Sequence, residues 1–194
     1  MTAKGGDFMR LFFGISLPEQ IRHAVSSRAA ACRLQIPGRY VPEENYHITL
    51  AFLGNVPETQ IDDAVSVLSR CIRDLPPPLL TLGETSFFGR PQNAILIVRV
   101  LSEPSLDPLH HTLVKSLEAA SLPFDPGPFS AHITLARHAG IPEHLPSPQE
   151  SISFIPDCAH LYLSARNEQN VLLYTPIASV PFSKPLAFPE NPSK

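Results

Sequence analysis

The tetrapeptide His-Ile-Thr-Leu occurs twice in this chain, at residues 47–50 and 132–135. At average residue frequencies, a chance repeat that begins with a residue as scarce as His is expected in only about one such chain in a hundred. Each copy reads His-x-Thr between apolar residues, inside a run of β-strand character. On a strand, residues i and i+2 share a face. His47 and Thr49 therefore point one way while Ile48 and Leu50 enter a core, and His132 and Thr134 repeat the arrangement over Ile133 and Leu135. Two equivalent strands of this kind predict a duplicated half related by pseudo-twofold symmetry. Two imidazoles and two hydroxyls offered to one space would make an acid–base pair with its own clamp for an anionic group.

The rest of the chain supplies the elements around these strands. Apolar runs predict strands at about 11–17, 46–53, 79–88, 94–101, 131–136, 151–155, 160–165 and 171–176. Helices are predicted at about 19–34, after Pro18, from Pro57 through Ile61, Val65, Leu68 and Ile72, and at 106–120. Gly54 is expected to stop the first motif strand and residues 37–44 to form a loop. Each motif strand follows a helix. The expected fold class is α+β: two-lobed and pseudo-twofold, with largely antiparallel sheets lining a central cleft and helices outside. Residues 1–194 read as a single domain, with loosely ordered ends at 1–9 and about 183–194.

Composition narrows the functional classes. The net charge is −3, with only 17% charged residues, which speaks against a protein that tracks along a duplex. An enzyme that touches the end of a strand, or a nucleotide, is compatible. The three cysteines, Cys32, Cys71 and Cys158, have no paired spacing and are expected to be reduced thiols of a cytoplasmic protein. Residues 1–7 lack the apolar stretch of a signal peptide, and no run is long enough for a membrane span, so no membrane partner is expected. A monomer is expected.

The other candidate positions carry weaker signals. His23, His110, His111, His138, His144 and His160 show no metal-ligand spacing, and neither motif contains Asp or Glu. A zinc site from His47, His132 and a third histidine is the metal alternative; the main reading needs no metal and no cofactor. His110 and His111, adjacent in a helix, point apart and are expected on the surface. Phe12 and Phe13 alternate faces: one is core, and Phe13 is a candidate cleft residue that binds substrate. Regular alternation turns Arg137 away from His132; it reaches the His face only if the strand ends or bulges after Leu135. No Gly-rich triphosphate or dinucleotide loop is present.

These residues resemble the 2H phosphoesterase superfamily, named for two His-x-Thr-x motifs. The group most like this chain is the bacterial and archaeal RNA 2′,3′-cyclic phosphodiesterases, also called 2′-5′ RNA ligases of the LigT type. The resemblance runs from Arg10 to Pro176. It includes Arg-Leu-Phe-Phe-Gly-Ile-Ser-Leu-Pro at 10–18, Phe-Phe-Gly-Arg-Pro at 87–91, Tyr-Leu-Ser at 162–164 and Tyr-Thr-Pro at 174–176. Ala131 departs from the family, which often has Pro before the second His. The resemblance implies hydrolysis of an RNA 2′,3′-cyclic phosphate to a 2′-phosphomonoester without metal. It implies His47 as proton donor to the 3′ oxygen, His132 as the acceptor that activates water, Thr49 and Thr134 on the phosphate oxygens, and Arg137 beside the phosphate. Reversed with a 5′-hydroxyl, the same chemistry would join RNA ends through a 2′-5′ bond. The expected partners are RNA ends or nucleotides carrying a 2′,3′-cyclic phosphate. Two alternatives stay open: a 2H enzyme for small cyclic nucleotides or 2′-5′ oligoadenylates, and a non-catalytic nucleotide- or RNA-binding module.

Overall fold

A computed structural model describes residues 8–146 and 151–183. Twelve elements follow in order: β1 (Phe8–Ser16), α1 (Glu19–Arg33), β2 (Arg39–Tyr40), β3 (His47–Pro57), α2 (Ile61–Ile72), β4 (Leu79–Phe88), β5 (Ala94–Glu103), α3 (Asp107–Ala119), β6 (His132–Ala139), β7 (Ser153–Phe154), β8 (Cys158–Arg166) and β9 (Leu172–Pro181). The strands form two sheets, ordered β3-β1-β8-β9 and β2-β6-β5-β4-β7, and every pairing is antiparallel.

The duplication is visible in the order. In one sheet the motif strand β3 lies beside β1; in the other the motif strand β6 lies beside β5. A helix joins each pair, α1 between β1 and β3, and α3 between β5 and β6. The helices form where the apolar spacing matches one face. In α1 the buried stripe is Ile21, Val25, Ala29 and Cys32, opened by Pro18 and Glu19. In α3 it is Leu109, Leu113 and Leu117. The amphipathic α2 buries Ala64, Val67, Leu68, Cys71 and Ile72. The strands β1, β3 and β6 contribute Leu11, Phe13, Ile15, Ile48, Leu50, Ile133 and Leu135 to the core, all buried. Among the described residues, no helix is long and apolar enough to cross a membrane.

Several boundaries differ from the sequence reading. Phe8 and Met9 belong to β1, paired with Pro57 and Val56, so they are not part of a loose end. The remaining expected ends, 1–7 and 184–194, lie outside the described residues. Gly54 does not stop β3: at φ +78° it sits in a register shift against Leu11 and bends the strand, which continues to Pro57. The helix expected from Pro57 begins at Ile61, after a short 3₁₀ turn. The loop expected at 37–44 contains β2, which covers the free edge of β6.

Candidate active site

Both motif strands carry a bulge at the last residue of the repeat. On β3, Thr49 pairs with Gly14 but Ala51 pairs with Phe13, so two steps of β3 face one step of β1. On β6, Thr134 pairs with Ile97 and Ala136 with Leu96, the same displacement. Leu50 with Ala51, and Leu135 with Ala136, are consecutive buried pairs, which regular alternation forbids. The repeat in fact extends one residue further, to His-Ile-Thr-Leu-Ala in both copies. The small fifth side chain fits where two neighbours must both turn inward.

The bulge on β6 decides the position of Arg137. It resets the alternation, and Arg137 joins His132 and Thr134 on the cleft side. The equivalent position on β3 is Phe52, half-buried at the same cleft. The cleft, about 490 Å³, is lined by His47, Thr49, His132, Thr134 and Arg137 together with Phe12, Phe52 and Tyr174.

Phe13 is not a cleft residue. Its side chain is 0% exposed and packs with Leu11 and Ile15 in the core. Phe12 takes the cleft side of β1. Its ring lies 4.7 Å from the His47 ring, 4.9 Å from Tyr162 and 5.1 Å from Tyr174, between centroids. His47 thus rests in an aromatic nest that narrows its rotamers and covers the ring faces, leaving one edge to the cleft. Strand alternation separated the two phenylalanines correctly, but only the facing side of the sheet could say which was which.

The two imidazoles are latched alike. His47 Nδ1–H donates to the Asn45 carbonyl oxygen at 2.7 Å, and His132 Nδ1–H donates to the Ser130 carbonyl oxygen at 2.7 Å. A carbonyl only accepts, so the proton of each neutral ring sits on Nδ1 and the lone pair on Nε2. The Thr49 hydroxyl donates to His47 Nε2 at 3.0 Å. Among the described residues, Thr134 makes no matching bond to His132, whose ring instead meets Phe88 edge-on at 4.9 Å.

Burial pushes the His47 imidazole down to about 4; the Asn45 carbonyl opposes this, while the charges of His132 and Arg137 add to it. Burial likewise lowers His132, opposed by the Ser130 carbonyl and reinforced by Arg137. Both rings are therefore neutral near pH 7 in the empty cleft. An anion between them would favour their protonated forms.

The positive charge around the cleft was hidden in the net value of −3. Arg10, Arg39, Arg137 and Arg166 all line it, and its described lining contains no Asp or Glu. Among the described residues none of these arginines is within ion-pair distance of a carboxylate. Arg39 and Arg137 are register partners across β2 and β6. Arg39 went unnoticed in the sequence because it lay in an expected loop.

Asn45 also escaped sequence reading. Its buried side chain donates from Nδ2 to the Leu172 carbonyl at 2.7 Å and accepts the Tyr174 N–H at Oδ1, 3.1 Å. It pins β9, and hence Tyr174, beside the strand that carries His47. His110 was expected on the surface but is bound inward: its Nδ1–H donates to the Leu50 carbonyl at the bulge, 2.7 Å, and its ring stacks on Phe129 at 4.5 Å. His160 bonds Ser16 at 3.0 Å and Ser179 at 2.8 Å. Among the described residues, no group of three or more His, Cys, Asp or Glu is placed to hold a metal ion. The cysteines are unpaired.

The chain is similar to known phosphoesterases in sequence and in fold. The family profile described as LigT like Phosphoesterase matches residues 15–96. The RNA 2′,3′-cyclic phosphodiesterase of Escherichia coli (strain K12) is 33% identical over 157 residues, covering 80% of this chain and 87% of that protein. The protein of the same name from Bacillus subtilis is 27% identical over 156 residues, covering 78% and 85%. Among solved structures, E. coli LigT complexed with 3′-AMP superposes with a TM-score of 0.77 at 29% identity, over 91% of this chain and 99% of that one. TT0787 of Thermus thermophilus gives 0.77 at 26% identity, over 90% and 98%. With two bulged His-x-Thr strands meeting at one cleft, and with this likeness over most of its length, the chain belongs to the LigT-like phosphoesterases of the 2H superfamily.

Proposed function

We propose that this chain is a metal-free RNA 2′,3′-cyclic phosphodiesterase that opens a terminal cyclic phosphate to a 2′-phosphomonoester. The observation that carries the reading is the pair of matched latches. Each Nδ1–H is spent on a backbone carbonyl, so each Nε2 is the working nitrogen, and both rings line one cation-lined cleft. The names of the relatives support the substrate class.

The cyclic diester enters as an anion and draws a proton onto one imidazole, since opposite charge favours the charged form. Following the family resemblance, that ring is His47. Once protonated, His47 Nε2 has no lone pair for Thr49, and the Thr49 hydroxyl is released to donate to a non-bridging phosphate oxygen. Neutral His132 Nε2 takes a proton from water as the water oxygen bonds to phosphorus. The bond from phosphorus to the 3′ oxygen breaks, and His47 Nε2–H protonates that oxygen. The products are a 3′-hydroxyl and a 2′-phosphate. Thr49, Thr134 and Arg137 stabilise charge that grows on the phosphate oxygens. Each proton transfer contributes about 10²–10⁴-fold. Run in reverse with a 5′-hydroxyl in place of water, the same groups would form a 2′-5′ linkage.

A small-nucleotide substrate is the second reading. It is supported by E. coli LigT, which has been crystallised with 3′-AMP. Incubation with a cyclic-phosphate-ended oligoribonucleotide and with 2′,3′-cyclic mononucleotides, each with and without EDTA, tests both. Turnover unaffected by EDTA is expected. Loss on chelation, restored by Zn²⁺ or Mn²⁺, would replace the two-histidine reading with a metal one.

A further inference from the structure

The cleft is longer than one cyclic phosphate requires. Along the first sheet, Thr49 pairs with Gly14, Phe52 with Phe12, and Arg10 lies further along β1, beyond Leu11 and Phe12. From Gly14 to Arg10 is about 14 Å at about 3.4 Å per residue. A level of aromatic rings therefore separates the catalytic level from a cationic rim. The Arg10 guanidinium lies over the Phe52 ring, 4.9 Å from its centroid. Arg166, the last residue of β8, stands on the same rim, held there by its Nη1 donating to the Asn170 carbonyl at 2.6 Å in the turn before β9. Both line the cleft that holds His47 and His132, and among the described residues neither has a carboxylate within ion-pair distance. Two such cations on one rim repel each other until an anion lies between them.

We propose that Arg10 and Arg166 form a second phosphate subsite, which takes the phosphate on the 5′ side of the terminal nucleoside while the 2′,3′-cyclic phosphate lies between the two histidines. This rests on the cyclic-phosphate reading given above. The span between the two sites suits one nucleoside: an arginine side chain reaches back part of the roughly 14 Å, and the remainder spans the ribose that separates a 2′,3′-cyclic phosphate from its 5′ oxygen. The ligand chemistry is a phosphate monoanion or dianion, from an internucleotide diester or from a free 5′-phosphate. Planar guanidinium forks suit either.

Three substrates with one base separate the possibilities: adenosine 2′,3′-cyclic phosphate, the same compound with a 5′-phosphate, and a diadenosine dinucleotide ending in the cyclic phosphate. The quantity read is the ratio of kcat/KM with a 5′-side phosphate to that without. For the unaltered chain the ratio should be about ten or more, mainly through KM, and should shrink as salt rises. In R10A/R166A it should fall close to one, and in R10K/R166K it should lie between. If only the dinucleotide shows the preference, the subsite reads the diester; if both do, any 5′ phosphate suffices. Hydrolysis of adenosine 2′,3′-cyclic phosphate by R10A/R166A reports that the variant is folded. A preference unchanged in R10A/R166A, or no preference in the unaltered chain, overturns the subsite alone. Failure to hydrolyse any of the three overturns the cyclic-phosphate reading with it.

Discussion

Replacing His47 with Gln should make the protein more stable in acid relative to neutral pH. In the folded chain, burial holds the imidazole at about 4, against 6.5 when it is free. The unfolded chain therefore binds a proton at His47 that the folded chain refuses, throughout the window between those values. Stability rises with pH wherever the unfolded state binds more protons. The penalty is absent above about 6.5, grows as the pH falls, and is complete near 4. At about 1.36 kcal/mol per pH unit, the gap sets a ceiling of about 3 kcal/mol. One edge of the ring meets the open cleft, where water screens it, so the measured value should fall below that ceiling. Gln keeps a donor for the Asn45 carbonyl but cannot titrate. Urea unfolding at about pH 7.5 and about pH 4.5 for both proteins gives the difference directly. The unaltered chain should lose up to about 3 kcal/mol more than His47→Gln between the two pH values. Inorganic phosphate added at the acidic pH should recover part of the loss in the unaltered chain only. Identical pH dependence in the two proteins would refute the claim that His47 is buried neutral.

Further outcomes follow from the same geometry. His47→Ala and His132→Ala should each lower kcat by about 10²–10⁴-fold with the fold retained by circular dichroism, and Thr49→Val or Thr134→Val by no more than about 10²–10³-fold; near-normal turnover in either His variant would remove it from the pair. Arg137→Ala should raise KM and lower kcat with little change in thermal stability, and Arg137→Lys should restore only part of the loss because the planar fork is gone; a destabilised variant with full specific activity would make Arg137 structural. Gly14→Ala should destabilise the chain by about 1–3 kcal/mol and impair turnover, since an added Cβ would stand 2.9 Å from the Ile48 carbonyl oxygen and push the motif strand. Unchanged melting and activity would show that β1 and β3 can part without cost.

The repeat alone makes the architecture legible: two equivalent strands, each after a helix, predict the duplicated halves and the shared cleft. Alternation also identified the buried Ile48, Leu50, Ile133 and Leu135. It failed one residue later. Period-two reasoning put Arg137 on the wrong face unless a bulge intervened, and a bulge is a cross-strand property that a single strand's letters do not carry. The repeated fifth Ala, at 51 and 136, was the available hint. Phe12 and Phe13 show a similar limit: the sequence says that they oppose each other, while only the second sheet defines which face is the cleft. Asn45, Arg39 and His110 act through contacts with residues distant in the chain, and local patterns are silent about those. Net charge is silent in another way. A total of −3 averages over the surface, whereas four arginines gather at one cleft.

In the proposed reaction, His47 and His132 direct water onto a cyclic phosphate and release the 3′ oxygen. Hydrolysis of a 2′,3′-cyclic-phosphate-ended oligoribonucleotide in ¹⁸O-water, followed by phosphorus NMR and mass analysis of the product, tests it in one measurement. A 2′-phosphate carrying one ¹⁸O is expected, formed in the presence of EDTA and not by the double variant His47→Ala/His132→Ala. A 3′-phosphate product, or equal turnover by that double variant, would contradict it.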